Sequence, residues 1–286
     1  MAAALQISIV ARLMWKRVAL ALIASIALLG LYSFFIEPSR LIVREERIRL
    51  RNWSPGPLRV AVIADLHAGS PFITEKKLRR LVEATNRSRP DVVLLLGDYV
   101  IQGVIGGRFI TPERTAAILG GLRSRLGTYA VLGNHDAWLD RKRVHTALQA
   151  NGIRVLRNEQ VRVDVGTGSI FLAGLADVWT DHPDFSVIQN DVAGPVIVLT
   201  HSPDVFPKIP PFVALTIAGH THGGQVHLPL LGRPIVPSAF EQRYAAGHIV
   251  ENGKELFVST GVGTSIIPVR FRVVPEVTLL RLERTP

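Results

Sequence analysis

Five times between residues 58 and 222 a short apolar run stops at a polar tip: LRVAVIADLH (58–67), DVVLLLGDY (91–99), YAVLGNHD (129–136), VIVLTH (196–201) and ALTIAGHTH (214–222). Runs this short and this uniformly apolar predict strands buried on both faces. Helix signals separate the first three. Thr74 caps a helix reaching about Ser88, with Leu78, Leu81 and Val82 on one face. Thr111-Pro112 opens a second helix that ends near Gly120-Gly121, and a third runs from about Asp140 to Ala150, stopped by Asn151-Gly152. Beyond that point helices thin out. IRVL, VRVDV, SIFLAGL, ELFVST, VRFRVV and EVTLLRL all predict strands. Alternating strands and helices followed by a β-rich half predict an α/β body of two packed mixed β-sheets flanked by helices.

The N-terminus follows a different pattern. Val18 to Ile36 reads VALALIASIALLGLYSFFI and holds no charge. At about 1.5 Å per residue it reaches about 28 Å, close to a bilayer's hydrocarbon thickness. No A-x-A cleavage site follows it and no twin-arginine pair precedes it, so it is expected to be an uncleaved transmembrane anchor rather than a signal peptide or a buried core helix. The domain plan is then an N-terminal segment 1–37 with the span at 18–36, a basic juxtamembrane connector at 38–57, and a catalytic body at 58–286. Residues 1–57 hold eight basic and three acidic residues and so supply half of the net charge of +10. That concentrates the positive charge beside the membrane, where anionic lipid complements it. The body carries no long Lys/Arg run, and no nucleic-acid partner is expected. Counting Lys and Arg on either side of the span favours a single-pass membrane protein of a bacterial inner membrane with its body in the cytoplasm. The chain has no cysteine, which excludes disulfides and thiolate metal sites.

The polar tips carry the chemistry. They bring Asp65 and His67, Asp98, Asn134 with His135 and Asp136, His201, and His220 with His222. Taken singly, each motif is an ordinary turn or polar loop. Together they stand at the carboxyl ends of consecutive strands, where α/β sheets build their sites. Imidazole, carboxylate and amide oxygen without thiolate suit Mn, Fe or Zn. There are too many donors for one ion, and Asp98 has two oxygens with which to bridge a pair. If the first strand stays extended, Asp65 and His67 point the same way and share an ion. The glycines of GHTHGGQ (219–225) let the backbone turn, so that His220 and His222 reach different ions.

DLH, GDY, GNHD, LTH and GHTHGGQ, in this order, resemble the calcineurin-like metallophosphoesterases from about Leu58 to Leu282. GTSIIPVRF, PEVTLL and the apolar N-terminus are similar to the membrane-attached branch, which includes enzymes that hydrolyse UDP-2,3-diacylglucosamine in lipid A synthesis. The resemblance implies two divalent metal ions, manganese foremost, with iron, zinc or a mixture as alternatives. It implies Asp65, His67 and His222 on one ion, Asn134, His201 and His220 on the other, and Asp98 between them. It also implies that His135 faces the substrate and assists the leaving group, with Asp136 orienting it. Hydroxide held between the cations would then hydrolyse a phosphodiester or pyrophosphate bond.

GDYVIQG lacks the second Asp and the Arg of the protein-phosphatase motif, which argues against that activity. Arg270 is a candidate contact for a substrate phosphate, and Asp177 a candidate border of the site. His145, His182, His227 and His248 lack motif context and are expected to be structural. The anchor makes the bilayer a partner and a lipid-linked phosphate the expected substrate. The alternatives are a soluble nucleotide or phosphomonoester, and a scaffold without turnover.

Overall fold

The structure, a computed structural model, describes residues 2–104, 106–166 and 168–285, with side chains from residue 12 onward. The first helix, α1 (Ala2–Leu31), runs into a single π-type turn at Tyr32–Ile36. From Arg12 to Ile36 this segment is long and apolar enough to cross a membrane. Leu20, Ile23 and Leu28 each expose more than half of their surface, so the segment is not a core helix of the body.

Next come β1 (Ile42–Leu50), β2 (Leu58–Ile63), α2 (Glu75–Arg87), β3 (Val92–Leu95), α3 (Pro112–Leu119), β4 (Thr128–Ala130), α4 (Asn134–Ala150) and β5 (Arg154–Val155). The caps act where the sequence places them. Thr74 Oγ1 accepts the Lys77 amide at 3.3 Å, and Thr111 Oγ1 accepts that of Arg114 at 3.3 Å, with Pro112 opening the helix. Each such cap contributes about 1 kcal/mol. Helix α4 breaks at Asp140 (φ −177°, ψ 97°), whose Oδ1 accepts the Arg143 amide at 3.0 Å. The predicted helix from Asp140 is therefore its second segment. The first segment, which carries His135, was not anticipated.

The second half holds β6 (Glu159–Asp164), β7 (Ser169–Gly174), β8 (Val196–Leu199), β9 (Leu215–Ala218), β10 (Gly247–Glu251), β11 (Lys254–Val258) and β12 (Glu276–Arg284). These strands complete two six-stranded mixed sheets, ordered β1-β12-β2-β3-β4-β5 and β10-β11-β9-β8-β7-β6. Val60, Val62, Leu94, Leu172, Ile197, Leu215 and Leu280 belong to one buried cluster between the sheets. Leu78 and Leu81 of α2, Ile118 of α3 and Leu148 of α4 join a second cluster with Ile63, Val93 and Leu95 of the first sheet. Phe206 and Tyr244, on short 3₁₀ turns, lie in a third cluster against the second sheet. Fully burying a side chain of this kind stabilises by roughly 1.5–3 kcal/mol.

Two segments depart from the sequence reading. The stretch at 38–57 is not a simple connector, because β1 pairs with β12 along nine residues, from Ile42 opposite Glu276 to Leu50 opposite Arg284. Only Pro38, Ile48, Leu50, Trp53 and Pro55 are buried there. The charged residues between them, typical of a sheet edge, hid the strand. VRFRVV is not a strand but an irregular loop, with one isolated bridge from Phe271 to Val226.

Strand direction then fixes where the chain enters. β12 runs antiparallel to β2, with Thr278 opposite Val62, and β1 runs parallel to β12. Ile42, the first residue of β1, therefore lies at the edge of the sheet where β2 ends and releases Asp65.

Candidate metal centre

The strand tips converge. Ligand atoms of Asp65, His67 and His222 lie within 4.8 Å of one another, and so do those of Asp98, His201 and His220. Asn134 Oδ1 sits 3.0 Å from His201 Nε2. Asp98 stands between the groups, its Oδ2 3.5 Å from His67 Nε2 and 3.3 Å from His201 Nε2. The two histidines of GHTH belong to different groups, as the glycines allow. The backbone amide of His220 donates to both oxygens of Asp65 at 3.0 Å, which ties the fifth tip to the first.

The local conformation is unusual. Asp65, His67, Asp98, His220 and His222 all have positive φ, from 46° to 70°. Residues other than glycine rarely adopt this region, and they collect at functional sites where the surrounding structure holds them. This corrects the expectation of an extended Asp65-Leu66-His67. The strand ends at Ile63, and the two side chains meet through a left-handed turn. At Gly219 a Cβ would lie 2.8 Å from Asp65 Oδ2, and at Gly133 it would collide with Asp98 Oδ1. Both glycines keep backbone clear of a carboxylate.

Electrostatics prepare the imidazoles to act as neutral donors. Burial holds His67 down to about 3 against the opposing charge of Asp98. Burial, reinforced by His201, holds His220 down to about 3, and burial with His67 beside it holds His222 well below the ordinary range. His201 differs. Burial disfavours its charge, but Asp98 beside it and hydrogen-bonded to it carries its pKa up to about 10. Its Nδ1 donates to the Leu96 carbonyl at 2.7 Å, which turns Nε2 toward Asn134, Asp98 and His220.

These residues fit two divalent cations. His67 and His222 bring Nε2 atoms within 3.0 Å of each other, and His201 Nε2 lies 3.1 Å from His220 Nδ1. Lone pairs that close need a proton or a cation beside them. Nδ1 of both His67 and His222 is buried without a protein partner, so no hydrogen bond there opposes the tautomer with the proton on Nδ1 and the lone pair on Nε2. Nitrogen and carboxylate oxygen without sulfur is a donor set for Mn, Fe or Zn.

The remaining predicted residues fall in different places. His135 is half-buried at the edge of the cluster, its ring 4.7 Å from that of His67 and its backbone amide donating to Asp98 Oδ1 at 2.9 Å. Asp136 does not orient His135. It is fully buried, and its carboxylate accepts the amides of Asp98, Tyr99 and Gly133 at 2.8–2.9 Å, clamping the second and third tips together. Arg270 does not reach a substrate. It is 0% exposed, and its guanidinium donates to the carbonyls of Thr260, Gly261, Gly263 and Val273. It underlies the loop behind Asp65.

Asp177 is also buried. It accepts Thr180 Oγ1 at 2.7 Å and so shapes the turn that carries Trp179. Among the four histidines read as structural, His248 pairs with Glu255 across β10 and β11 at 2.6 Å.

Two residues at the site were missed. Trp138 stacks edge-on to His135, with ring centres 4.7 Å apart, and Trp179 lies 5.4 Å from His220. Both indoles are more than half exposed. The signals existed: Trp138 is three residues after His135, one helical turn on, and Trp179 follows the end of β7, a sixth polar tip.

Residues 58–224 match the calcineurin-like phosphoesterase family. The chain belongs to it. Relatives align along most of this family member. The metallophosphoesterase YkuE of Bacillus subtilis is 28% identical over 261 residues, 89% of this chain and 90% of its own. The phosphodiesterase YaeI of Escherichia coli is 28% identical over 256 residues, 88% of this chain and 92% of its own. A transmembrane protein with a metallophosphoesterase domain from Danio rerio is 29% identical over 93% of this chain and 62% of its own. With the two donor clusters, this makes the protein a metal-dependent phosphoester hydrolase.

Proposed function

We propose that this phosphoesterase is held in a membrane by α1 and hydrolyses phosphodiester or pyrophosphate bonds of a substrate presented at the bilayer. One observation carries the reading: the apolar helix joins the body at the sheet edge where the donor clusters lie, through the pairing of Ile42 with Glu276 beside the end of β2. The names of the E. coli and D. rerio relatives, a phosphodiesterase and a transmembrane protein, support it.

Asp65, His67 and His222 would hold one cation, Asn134, His201 and His220 the other, with Asp98 shared. Such a pair, when bound, neutralises the ester and supplies a water acidic enough to attack phosphorus near neutral pH. The chain's own groups do the rest. Asp98 Oδ1 fixes the backbone of His135, and α4 presents the ring at the open side of the cluster. Burial lowers the pKa of His135. An arriving phosphate anion raises it again, so that the imidazole carries a proton toward the leaving oxygen. Asp136 keeps the tips of β3 and β4 in register.

Trp138 and Trp179 favour a refinement, a substrate with a planar group such as a nucleobase that stacks on an indole. A nucleotide-lipid pyrophosphate such as UDP-2,3-diacylglucosamine has both the base and the lipid. A soluble nucleotide has the base alone. Manganese is the first metal to supply, and the excess of Lys and Arg after the span sets the body on the cytoplasmic side.

The test is a panel with added Mn: bis-p-nitrophenyl phosphate, p-nitrophenyl phosphate and UDP-2,3-diacylglucosamine in mixed vesicles. Cleavage of the diester and the nucleotide-lipid is expected. Cleavage of the monoester alone would overturn the diester reading.

A further inference from the structure

Two loops beside the metal centre expose large apolar side chains. Leu230, Leu231, Ile235, Ile266 and Ile267 are 53–106% exposed, a concentration that a water-facing surface rarely carries. The loops are braced together. Gln225 Nε2 donates to the carbonyls of Ser265 (3.3 Å) and Ile267 (3.4 Å), its Oε1 accepts the Ser265 amide at 2.8 Å, and the His227 amide donates to Phe271 O at 2.9 Å. Both are also tied to the donor clusters. Gln225 directly follows GHTHGG, Arg233 donates to the Gly223 carbonyl, and the Gly263 amide donates to Asp65 O at 2.7 Å.

The second of these loops, with the residues just after it, grips the end of the apolar helix. The Arg270 amide donates to Ser33 O at 2.9 Å, and the Val273 amide donates to Glu37 Oε1 at 2.5 Å. Glu37 is 0% exposed, and Lys77 Nζ on α2 donates to Pro38 O at 2.8 Å. The last turn of the span is therefore part of the body, not a free tether. Ser33 lies inside the uncharged stretch 18–36. A loop hydrogen-bonded to it stands within about one helical turn of the bilayer boundary. Arg40 and Arg272, both exposed, follow closely on the two docked stretches, where anionic headgroups complement them.

We propose that loops 226–236 and 263–271 form an apolar rim that inserts into the interfacial layer of the bilayer holding α1, so that the metal centre opens onto lipid headgroups. This rests on the membrane-anchored reading above and adds to it a fixed orientation and the face of the body that meets the lipid. Continuity with the span, through Ser33 and Glu37, selects lipid over a second protein copy as the occupant.

The chain has no native cysteine, so single thiols report cleanly. Leu231→Cys and Ile266→Cys place a probe on the rim. Asp191→Cys places one in the exposed loop before β8, at the opposite end of the strand that leads to His201. Each full-length variant is labelled with a polarity-sensitive NBD dye and reconstituted into vesicles of phosphatidylcholine and phosphatidylglycerol. Rim probes are expected to shift to the blue and to be quenched at least twofold more by doxyl-labelled lipid than the Asp191→Cys probe.

Alkaline carbonate extraction of the same vesicles tests the anchor by itself. Release from the membrane would overturn the anchored reading and the rim with it. Retention with rim probes as wet as the control would overturn the rim alone. A blue shift that lipid-borne quencher leaves untouched would assign the rim to a protein interface and also overturn the proposal.

Discussion

The metal centre and the junction between the apolar helix and the body both bury charge, and they treat it in opposite ways. At the junction, Arg270 places its guanidinium on the carbonyls of Thr260, Gly261, Gly263 and Val273, Lys77 donates to Pro38, and Glu37 accepts from Val273. At the metal centre, His67 and His222 keep buried Nδ1 atoms unpartnered, imidazole nitrogens face one another at 3.0 Å, and five residues sit in the left-handed region. The first region is met almost wholly by polypeptide, with Glu37 Oε2 the exception among these groups. The second gathers donors that the polypeptide does not satisfy, and its left-handed backbone costs stability. Substitutions should therefore separate the two: those at the centre remove function and spare the fold, and those at the junction do the reverse.

The largest effect is expected at Asp98, whose Oδ2 faces both clusters. Asp98→Asn should lower turnover by roughly 10³-fold or more, since the charge stabilisation supplied by metal is worth several kcal/mol. It should also lower bound metal, measured by elemental analysis, below two ions per chain. Metal-free Asp98→Asn should melt close to metal-free wild type, because His201, charged only through its pairing with Asp98, gives up its proton and no stranded charge stays buried. A lower melting temperature would mean that Asp98 holds the fold together and would break the comparison.

His135→Ala should come next. Metal content should stay at the wild-type level while kcat falls roughly 10²- to 10⁴-fold, the range for losing a general acid. Because His135 meets Asp98 through its backbone amide, the substitution leaves that tie intact. An alanine variant as active as wild type would remove His135 from the chemistry.

At the junction the expected sign reverses. Arg270→Met keeps the bulk and strands the carbonyls of Thr260, Gly263 and Val273, while Gly261 O keeps the Glu276 amide. Each buried unpaired group costs about 1–3 kcal/mol, so the variant should lose several kcal/mol of stability with metal or without it. Whatever fraction remains folded should keep kcat near wild type for a soluble diester. A variant that is fully stable yet loses affinity for substrate would restore the phosphate-binding role read from the sequence.

The contrast also explains which parts were readable in advance. Polar tips on apolar runs, and the caps at Thr74 and Thr111, are local patterns whose partners lie within a few residues or repeat in a fixed order. They disclosed the two-sheet body and the residues that gather at the centre. Arg270 and Asp136 were legible as polar residues near motifs, but their partners are backbone groups brought in by other parts of the chain. Only the folded chain shows where those carbonyls and amides stand. β1 escaped for a related reason: an edge strand rich in Arg and Glu has the composition of a linker, and its ladder belongs to β12, more than two hundred residues away. The turn at Asp65-Leu66-His67 was misread as extended because propensity disfavours positive φ at both positions, and the tertiary structure overrides it.

The smallest expected effect sharpens the comparison from the junction side. Burial, with Arg270 nearby, lowers the Lys77 amine to about 7, whereas an unfolded lysine titrates near 10.4. Below pH 7 both states carry the proton, and the native state bears the full cost of a buried charge. Between about pH 7 and 10.4 the native state binds fewer protons than the unfolded one, so stability contributed by this residue rises with pH. Lys77→Met removes that dependence and also removes the hydrogen bond to Pro38, at a cost of about 1–3 kcal/mol. The two changes oppose each other at low pH. The variant should match or exceed wild type in stability at pH 6 and fall below it at pH 9.5, measured as the difference in melting temperature between the two proteins in the same vesicles. A difference that stays constant across that range would show that Lys77 keeps its proton in the native state. The amine would then be compensated as fully as Arg270 is by its carbonyls.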